Sequence, residues 1–379
     1  MGTVPRKMKN KKPKVLFVTG LFFPFQVEFA NEVNKLGLFE YYVAFTIPYS
    51  PIRGKHWIIN IKNEYTKYIF VAEKNISPKT QAFWATQVIC KINPKVLISA
   101  FYKGPLYKQI IKIAKSMKHK IDFWCESPNL LYPKLILKIY ENLILKENFK
   151  NAKFILAIGD RALRTYKKIF RGDVYLMPYS QDLSLHFSIP RTPKSYSDKI
   201  TFLFSGQLVK RHNIQLIAKA LVKLYRRYSD KFRFVIAGYG PEEYNFLKII
   251  NQEPNLKKQI IYDREYETWE DRIRPFSYSD VLVYPSKHSG WGLVVPEAMA
   301  SGMVVISTPM VEAARYYIKN GINGILIKPD LENLYSQMEW CINNKVKLFE
   351  IGQLARKYVY KGTAEDVAKW FCQVIQRYL

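Results

Sequence analysis

Short, unbroken apolar runs alternate along the chain with longer segments whose apolar residues recur every three or four positions. The first run, KVLFVTG over 14–20, ends on a glycine and has the pattern of a parallel strand covered on both faces. A helical stretch from about 26 to 36 follows. Further runs lie at 41–47, 67–73, 94–101, 120–127, 153–159 and 173–179, with helical patterns at 105–118, 134–150 and 160–169. Strands alternating with helices predict an α/β domain on a parallel sheet.

Residues 188–198 (SIPRTPKSYSD) lack apolar periodicity and carry two prolines, which predicts a linker. The rhythm then restarts. Strands are predicted at 199–207, 231–240, 259–266, 279–286, 303–309 and 324–329, and helices at 213–229, 241–251, 268–278, 293–301 and 311–319, before closing helices. The expected organisation is therefore a Rossmann-like domain over 1–187, a linker, and a second Rossmann-like domain over 199–360. Doubly wound sheets bind ligands at their strand C-terminal ends, so a cleft between the two is expected.

The 13-residue stretch from Val15 to Val27 follows a basic N-terminus but is too short to span a bilayer and contains Pro24. No small-residue cleavage site follows it, so it reads as a buried strand and loop. With 379 residues, 48% hydrophobic and 24% charged, the chain has the composition of a folded protein of two domains and not of a disordered one. Cys90, Cys125, Cys341 and Cys372 show no CxxC spacing, which argues against zinc or a disulfide framework and fits a reducing compartment.

The net charge of +28 is lopsided. Residues 1–198 hold 33 basic and 13 acidic residues, a net +20, and residues 199–379 hold 26 and 18, a net +8. An anionic partner should meet the first half, although a chain rich in Lys, Ile, Asn, Tyr and Phe owes part of this excess to composition.

The segment richest in chemistry is 280–309, DVLVYPSKHSGWGLVVPEAMASGMVVISTP. It reads as strand, loop, helix and strand. Gly290 and Gly292 allow close approach of backbone N–H groups to a ligand, Pro296 suits a first helical turn, and Gly302 suits a helix end. A phosphate is the natural guest of such a helix start.

This segment resembles the nucleotide-sugar signature of glycosyltransferase family 4, which reads Pro-Ser-x-x-Glu-Gly-Phe-Gly-Leu-x-x-x-Glu-Ala-Met-Ala. Here it is Pro285, Ser286, Lys287, His288, Ser289, Gly290, Trp291, Gly292, Leu293 and then Glu297 to Ala300. SGQLVKRHN (205–213), FVIAGYGPEE (234–243), NGINGILI (320–327), LAIGDRA (156–162) and MPYSQD (177–182) have counterparts in the same order.

The resemblance implies a GT-B fold, α/β, with two Rossmann-like doubly wound domains facing across a cleft and the helix at 361–379 crossing back to the first. It implies a retaining, metal-independent, hexosyltransferase-type enzyme that needs no cofactor. Such an enzyme moves a sugar from a nucleotide-diphospho sugar to a hydroxyl of a glycan or lipid-linked acceptor, in polysaccharide or glycolipid synthesis. By this resemblance Glu297 holds the ribose hydroxyls, a role that suits a carboxylate because it accepts two hydrogen bonds from a diol. Gly292, Leu293 and Val294 supply amides to the diphosphate, with Gly206 and Gly290 in the loops beside it. Gly20 ends the first strand where the family's N-terminal glycine loop abuts the donor, though the usual second glycine is missing.

Three positions depart from the pattern. Ser289 replaces a glutamate that contacts the donor sugar, Gln207 replaces an arginine, and His212 replaces a lysine. The neighbouring Lys210 and Arg211 are the candidate substitutes for the two missing cations, Arg211 through a bidentate grip. Glu126, in FWCESPN, is a candidate acceptor-side carboxylate. The competing expectation is a non-catalytic GT-B protein that binds a nucleotide sugar or a membrane partner.

No Asp-x-Asp metal motif, GxxxxGK[ST] phosphate loop or HExxH is present. His56, His119 and His186 stand alone and read as structural. No helix-turn-helix, zinc-finger or RNP motif accompanies the basic charge, so nucleic acid is not the expected partner. Basic helices at 105–120 and 130–150, with Lys112, Lys115, Lys118, Lys120, Lys134, Lys138, Lys146 and Lys150 among apolar residues, instead fit an anionic membrane surface. The expected location is cytoplasmic, peripheral on the inner face of the membrane.

Overall fold

The computed structural model describes residues 11–48, 66–72, 77–118, 120–128, 143–195 and 198–379. Among these, the first sheet has seven parallel strands: β1 (Lys14–Leu21), β2 (Glu40–Ile47), β3 (Ile69–Val71), β4 (Val96–Ser99), β5 (Ile121–Glu126), β6 (Phe154–Ile158) and β7 (Asp173–Leu176). Their order is β3-β2-β1-β4-β5-β6-β7. The second has six parallel strands: β8 (Ile200–Ser205), β9 (Phe232–Ala237), β10 (Ile260–Tyr262), β11 (Val281–Tyr284), β12 (Val304–Ser307) and β13 (Ile325–Leu326), ordered β10-β9-β8-β11-β12-β13. Helices cover both faces of a sheet of this kind, which is why runs such as Phe154–Ile158 are apolar at every position and fully buried. The fold is GT-B, two Rossmann-like domains. Each order reverses once, between β1 and β4 and between β8 and β11, and those reversals open the crevices where ligands bind.

Local differences from the sequence expectation have local causes. The helix Pro78–Ile92 was not expected. Ala82, Ala85, Val88, Ile89 and Ile92 form its buried stripe, and the Ser77 hydroxyl accepts the Thr80 N–H at 3.2 Å as its cap, but interspersed Gln and Thr dilute the periodicity. Of the described residues 67–72, three pair as β3. The expected helix at 268–278 divides into a 3₁₀ turn, Glu270–Ile273, and a short helix, Arg274–Tyr278, with Pro275 at the division. Of the helix expected at 134–150, residues 143–149 are helical, while 129–142, with Lys134 and Lys138, lie outside the described residues, as do His56 and His119. Val15 to Val27 is divided between β1 and the helix Pro24–Leu36. Among the described residues no helix is long and apolar enough to cross a membrane.

The two halves are tied together by the connecting segment and by the C-terminal helix. Arg191 donates Nε to Ser301 O (2.6 Å), Nη1 to Ser279 O (2.6 Å) and Nη2 to Phe276 O, which pins the connecting segment to the second domain. The helix Ala364–Gln376 packs on the first domain. Its Phe371 ring stacks over Trp124 at 5.8 Å and meets Phe29 and Tyr41 edge-on at 5.4 and 5.1 Å. Burying one such phenyl group stabilises the contact by about 1.5–3 kcal/mol.

Candidate active site

A cavity of about 370 Å³ opens between the domains at the C-terminal ends of β8 and β11, the reversal point of the second sheet. The loop after β8 contributes Gly206, Gln207, Arg211 and His212. The loop after β11 contributes Ser289, Gly290, Gly292, Leu293 and Val294, and the helix Val294–Ala300 contributes Glu297. Glu126 reaches in from the end of β5. Gly20 and Lys210 do not line it. Gly20 faces the Phe101 ring, 3.8 Å from where its Cβ would be, and Lys210 is exposed on the 3₁₀ turn Lys210–His212.

Gly292 has φ 97°, and a Cβ there would sit 2.7 Å from Val311 Cγ1, so backbone strain and packing both require glycine. The first hydrogen bond of the following turn runs from Val295 N–H to Gly292 O (3.0 Å). Gly302, with φ 72°, closes the helix in the left-handed conformation.

Glu297 is enclosed, its side chain 13% exposed, and loss of hydration raises its pKa to about 7. The Arg272 guanidinium, 3.7 Å away, opposes that rise, Glu28 adds to it, and a hydrogen bond from Gln181 lowers it. Arg272 also lies 3.9 Å from Glu28 and 3.9 Å over the Trp269 ring. Glu28 belongs to the first domain, where it accepts the Asp182 N–H (2.9 Å), and it also accepts the Trp269 Nε1–H (2.9 Å) from the second. Glu28 and Glu297 thus share one arginine across the domain boundary.

His212 is 3% exposed, and burial together with the nearby Arg211 charge lowers its pKa to about 3, so it is neutral at physiological pH. It does not supply the charge that a lysine would. Gln207 supplies none either. The cavity's cations are Arg211, Arg264 and Arg272. Arg264 pairs with Glu243 at 2.8 Å and stacks on Tyr239 and Tyr262, while Arg272 serves the two carboxylates. Among the described residues Arg211 has no carboxylate within ion-pair reach. Glu126 is exposed toward the cleft at the end of β5. Lost hydration raises its carboxyl above the usual range, and Arg211 opposes the shift.

Arg272, Glu28, Trp269 and Gln181 were not singled out in the sequence. Glu28 carried a signal, a carboxylate set directly between the apolar Val27 and Phe29. Arg272 lay in the stretch 268–278, which the sequence marked only as a helix.

Two facing Rossmann-like domains with a cavity at their strand ends define a GT-B protein. Residues 187–362 match the family model described as "Glycosyl transferases group 1". The chain is 27% identical over 224 residues to an uncharacterized glycosyltransferase of Methanocaldococcus jannaschii, covering 58% of this chain and 52% of that protein. It thus spans about half the length of the curated relatives it matches. Its fold is similar to a glycosyltransferase from Rickettsia africae (TM-score 0.71, 18% identity, 97% of this chain and 98% of that one). It is also similar to Anabaena HepE, solved in complex with UDP-glucose (TM-score 0.69, 12% identity, 96% and 99%).

Proposed function

We propose that the chain is a retaining glycosyltransferase that takes a nucleotide-diphospho sugar in the second domain and an acceptor hydroxyl, of a glycan or a lipid-linked glycan, in the first. The observation that carries this reading is Glu297. It is a largely enclosed carboxylate at the reversal point of the second sheet, beside the Gly292 turn, with Arg211 as a cation that forms no ion pair among the described residues. Glu297 would accept the ribose hydroxyls. Arg211 would face the diphosphate, where a preorganised charge stabilises the leaving group as the bond to the anomeric carbon breaks. The acceptor hydroxyl then attacks from the same face, with Glu126 on its side of the cleft. The family resemblance supports retention and independence from metal, and the relative solved with UDP-glucose supports a nucleotide-sugar donor.

Thermal unfolding in the presence of a set of nucleotide sugars tests the donor, because a ligand that binds the folded state raises its stability by RT ln(1 + [L]/Kd). One sugar nucleotide should raise the melting temperature of the wild type and leave that of Glu297→Ala unchanged. Equal stabilisation of both proteins would reject the assignment.

The departures at Ser289, Gln207 and His212 favour a second reading, a GT-B protein that binds the nucleotide sugar without turnover. Slow release of nucleoside diphosphate from the bound donor separates the enzyme from that alternative.

The membrane reading narrows. In the helix Gly104–Ser116 the apolar residues Leu106, Tyr107, Ile110, Ile113 and Ala114 are buried in the domain, and Lys108, Lys112 and Lys115 face outward. Leu143 and Ile144 are exposed beside Lys146 and Lys150. Contact with an anionic bilayer would rest on these lysines, with Leu143 and Ile144 as the apolar component. Cosedimentation with phosphatidylglycerol vesicles that vanishes at high salt is the expected result.

A further inference from the structure

We infer that His212 is a positioning residue whose task is to aim Arg211 at the diphosphate, an inference that rests on the donor-site reading above. The two residues are adjacent in sequence and in the cleft. Arg211 Nε lies 3.3 Å from His212 Nε2, and His212 Nδ1 lies 2.8 Å from Ser286 Oγ. An arginine Nε can only donate, so His212 Nε2 must be the acceptor, and the single ring proton must reside on Nδ1 and point to Ser286 Oγ. The contact itself therefore requires a neutral imidazole. A proton on Nε2 would face the Arg211 N–H.

The ring is held on every side that matters. Tyr284 packs on it with centroids 5.1 Å apart, and Phe204 lies at 6.4 Å. Ser286 is itself fully buried, and Thr308 Oγ1 donates to its carbonyl at 2.6 Å. The Lys287 N–H donates to Arg211 O at 2.8 Å, so the backbone of Arg211 is fixed from the same loop. The Arg211 side chain itself has fewer ties. It is exposed, it has no carboxylate partner among the described residues, and His212 is the group that restrains it.

A guanidinium held through Nε presents its two terminal nitrogens in one plane, the geometry of a bidentate grip on phosphate oxygens. This accounts for the exchange of residues in the loop. Where the resemblance calls for a lysine, this chain has a buried neutral ring, and the charge moves one position back, to Arg211. Losing one charge-assisted contact corresponds to at least a tenfold weakening of binding.

The test is a double-mutant cycle read by calorimetry, offering UDP, GDP and ADP in turn and continuing with the one that binds the wild type. Arg211→Ala is expected to weaken binding tenfold or more. His212→Leu, which removes the acceptor while filling the space, should weaken it three- to tenfold in the wild type and not at all when Arg211→Ala is already present. His212→Gln, whose Oε1 can take the place of Nε2, should bind within about twofold of wild type.

Equal losses from His212→Leu in both backgrounds, or no rescue by Gln, would overturn the positioning role and leave the donor site standing. Should His212→Leu fail to fold, Ser286→Ala replaces it in the cycle with the same expected non-additivity. A wild type that binds none of the three nucleotides would instead overturn the donor reading, and the role of His212 with it.

Discussion

Glu126 and Gly290 meet across the cleft. A Cβ on residue 290 would lie 1.8 Å from Glu126 Oε2, so the carboxylate of one domain occupies the place of a side chain on the other. Gly290 is therefore needed for the space it leaves, since its backbone is not in the left-handed region.

Gly290→Ala should accordingly act on Glu126 rather than on folding. The crowded atoms are the free end of a flexible side chain, which can rotate away at small cost. We expect a melting temperature near that of the wild type and a turnover of nucleotide sugar at least tenfold lower. Glu126→Ala should lose as much, and the double variant no more than either. Full activity in Gly290→Ala would show that the Glu126 position is of no consequence to the chemistry.

Glu297 gives stability a pH dependence whose sign follows from its raised pKa. The folded state binds a proton at Glu297 more readily than the unfolded chain does, so between the ordinary glutamate value and about 7 this group makes stability fall as pH rises. Glu297→Gln removes the titration. The difference in unfolding free energy, wild type minus variant, should decline from pH 5 to pH 8 and flatten above. Parallel profiles in urea titrations across that range would contradict the burial of this carboxylate.

The sequence carried the strands and the signature loop because both are local. An apolar run such as 153–159 has one stable use in this fold, and the glycines at 290 and 292 announce a backbone passing close to another group. The shared arginine was out of reach for the opposite reason. Glu28 and Trp269 stand 241 positions apart, and periodicity tells which face of a helix is buried without telling what lies across a domain boundary. The task of His212 escaped for a third reason. Residue type showed that a lysine was missing there, but not that the ring is buried against Ser286 and faces the Arg211 N–H.

The segment joining the domains makes a prediction of its own. Arg191 satisfies three carbonyls of the second domain, Phe276 and Ser279 at the end of the helix Arg274–Tyr278 and Ser301 after the helix Val294–Ala300, and Lys194 pairs with Asp280 at 3.0 Å beside it. The described part of this prolyl, polar stretch is thus held to the second domain at Arg191 and Lys194. Arg191→Ala leaves three part-buried acceptors to find new partners, at a cost of about 1–3 kcal/mol for each that fails. We expect a loss of at least about 2 kcal/mol in chemical unfolding. Arg191→Lys should recover little, because a single ammonium cannot span three separate carbonyls. Stability unchanged in Arg191→Ala would mean that the segment is held by its prolines alone.

The last prediction concerns the tie on the other side of the cleft. Glu312, 1% exposed, pairs with Arg161 of the first domain through its Oε1, and its Oε2 accepts the Arg161 backbone N–H at 3.3 Å. The same oxygen would sit 2.6 Å from a Cβ on Gly159, so a carboxylate of the second domain caps the helix Asp160–Ile169 of the first. Arg161→Ala strands a buried charge and should cost about 3–5 kcal/mol. Adding Glu312→Gln should return most of that, since a neutral amide can still accept the backbone N–H without a counter-ion. The order of urea midpoints is then wild type, double variant, single variant. A double variant less stable than Arg161→Ala would show that the charge on Glu312, and not its unpaired state, is what the interface needs.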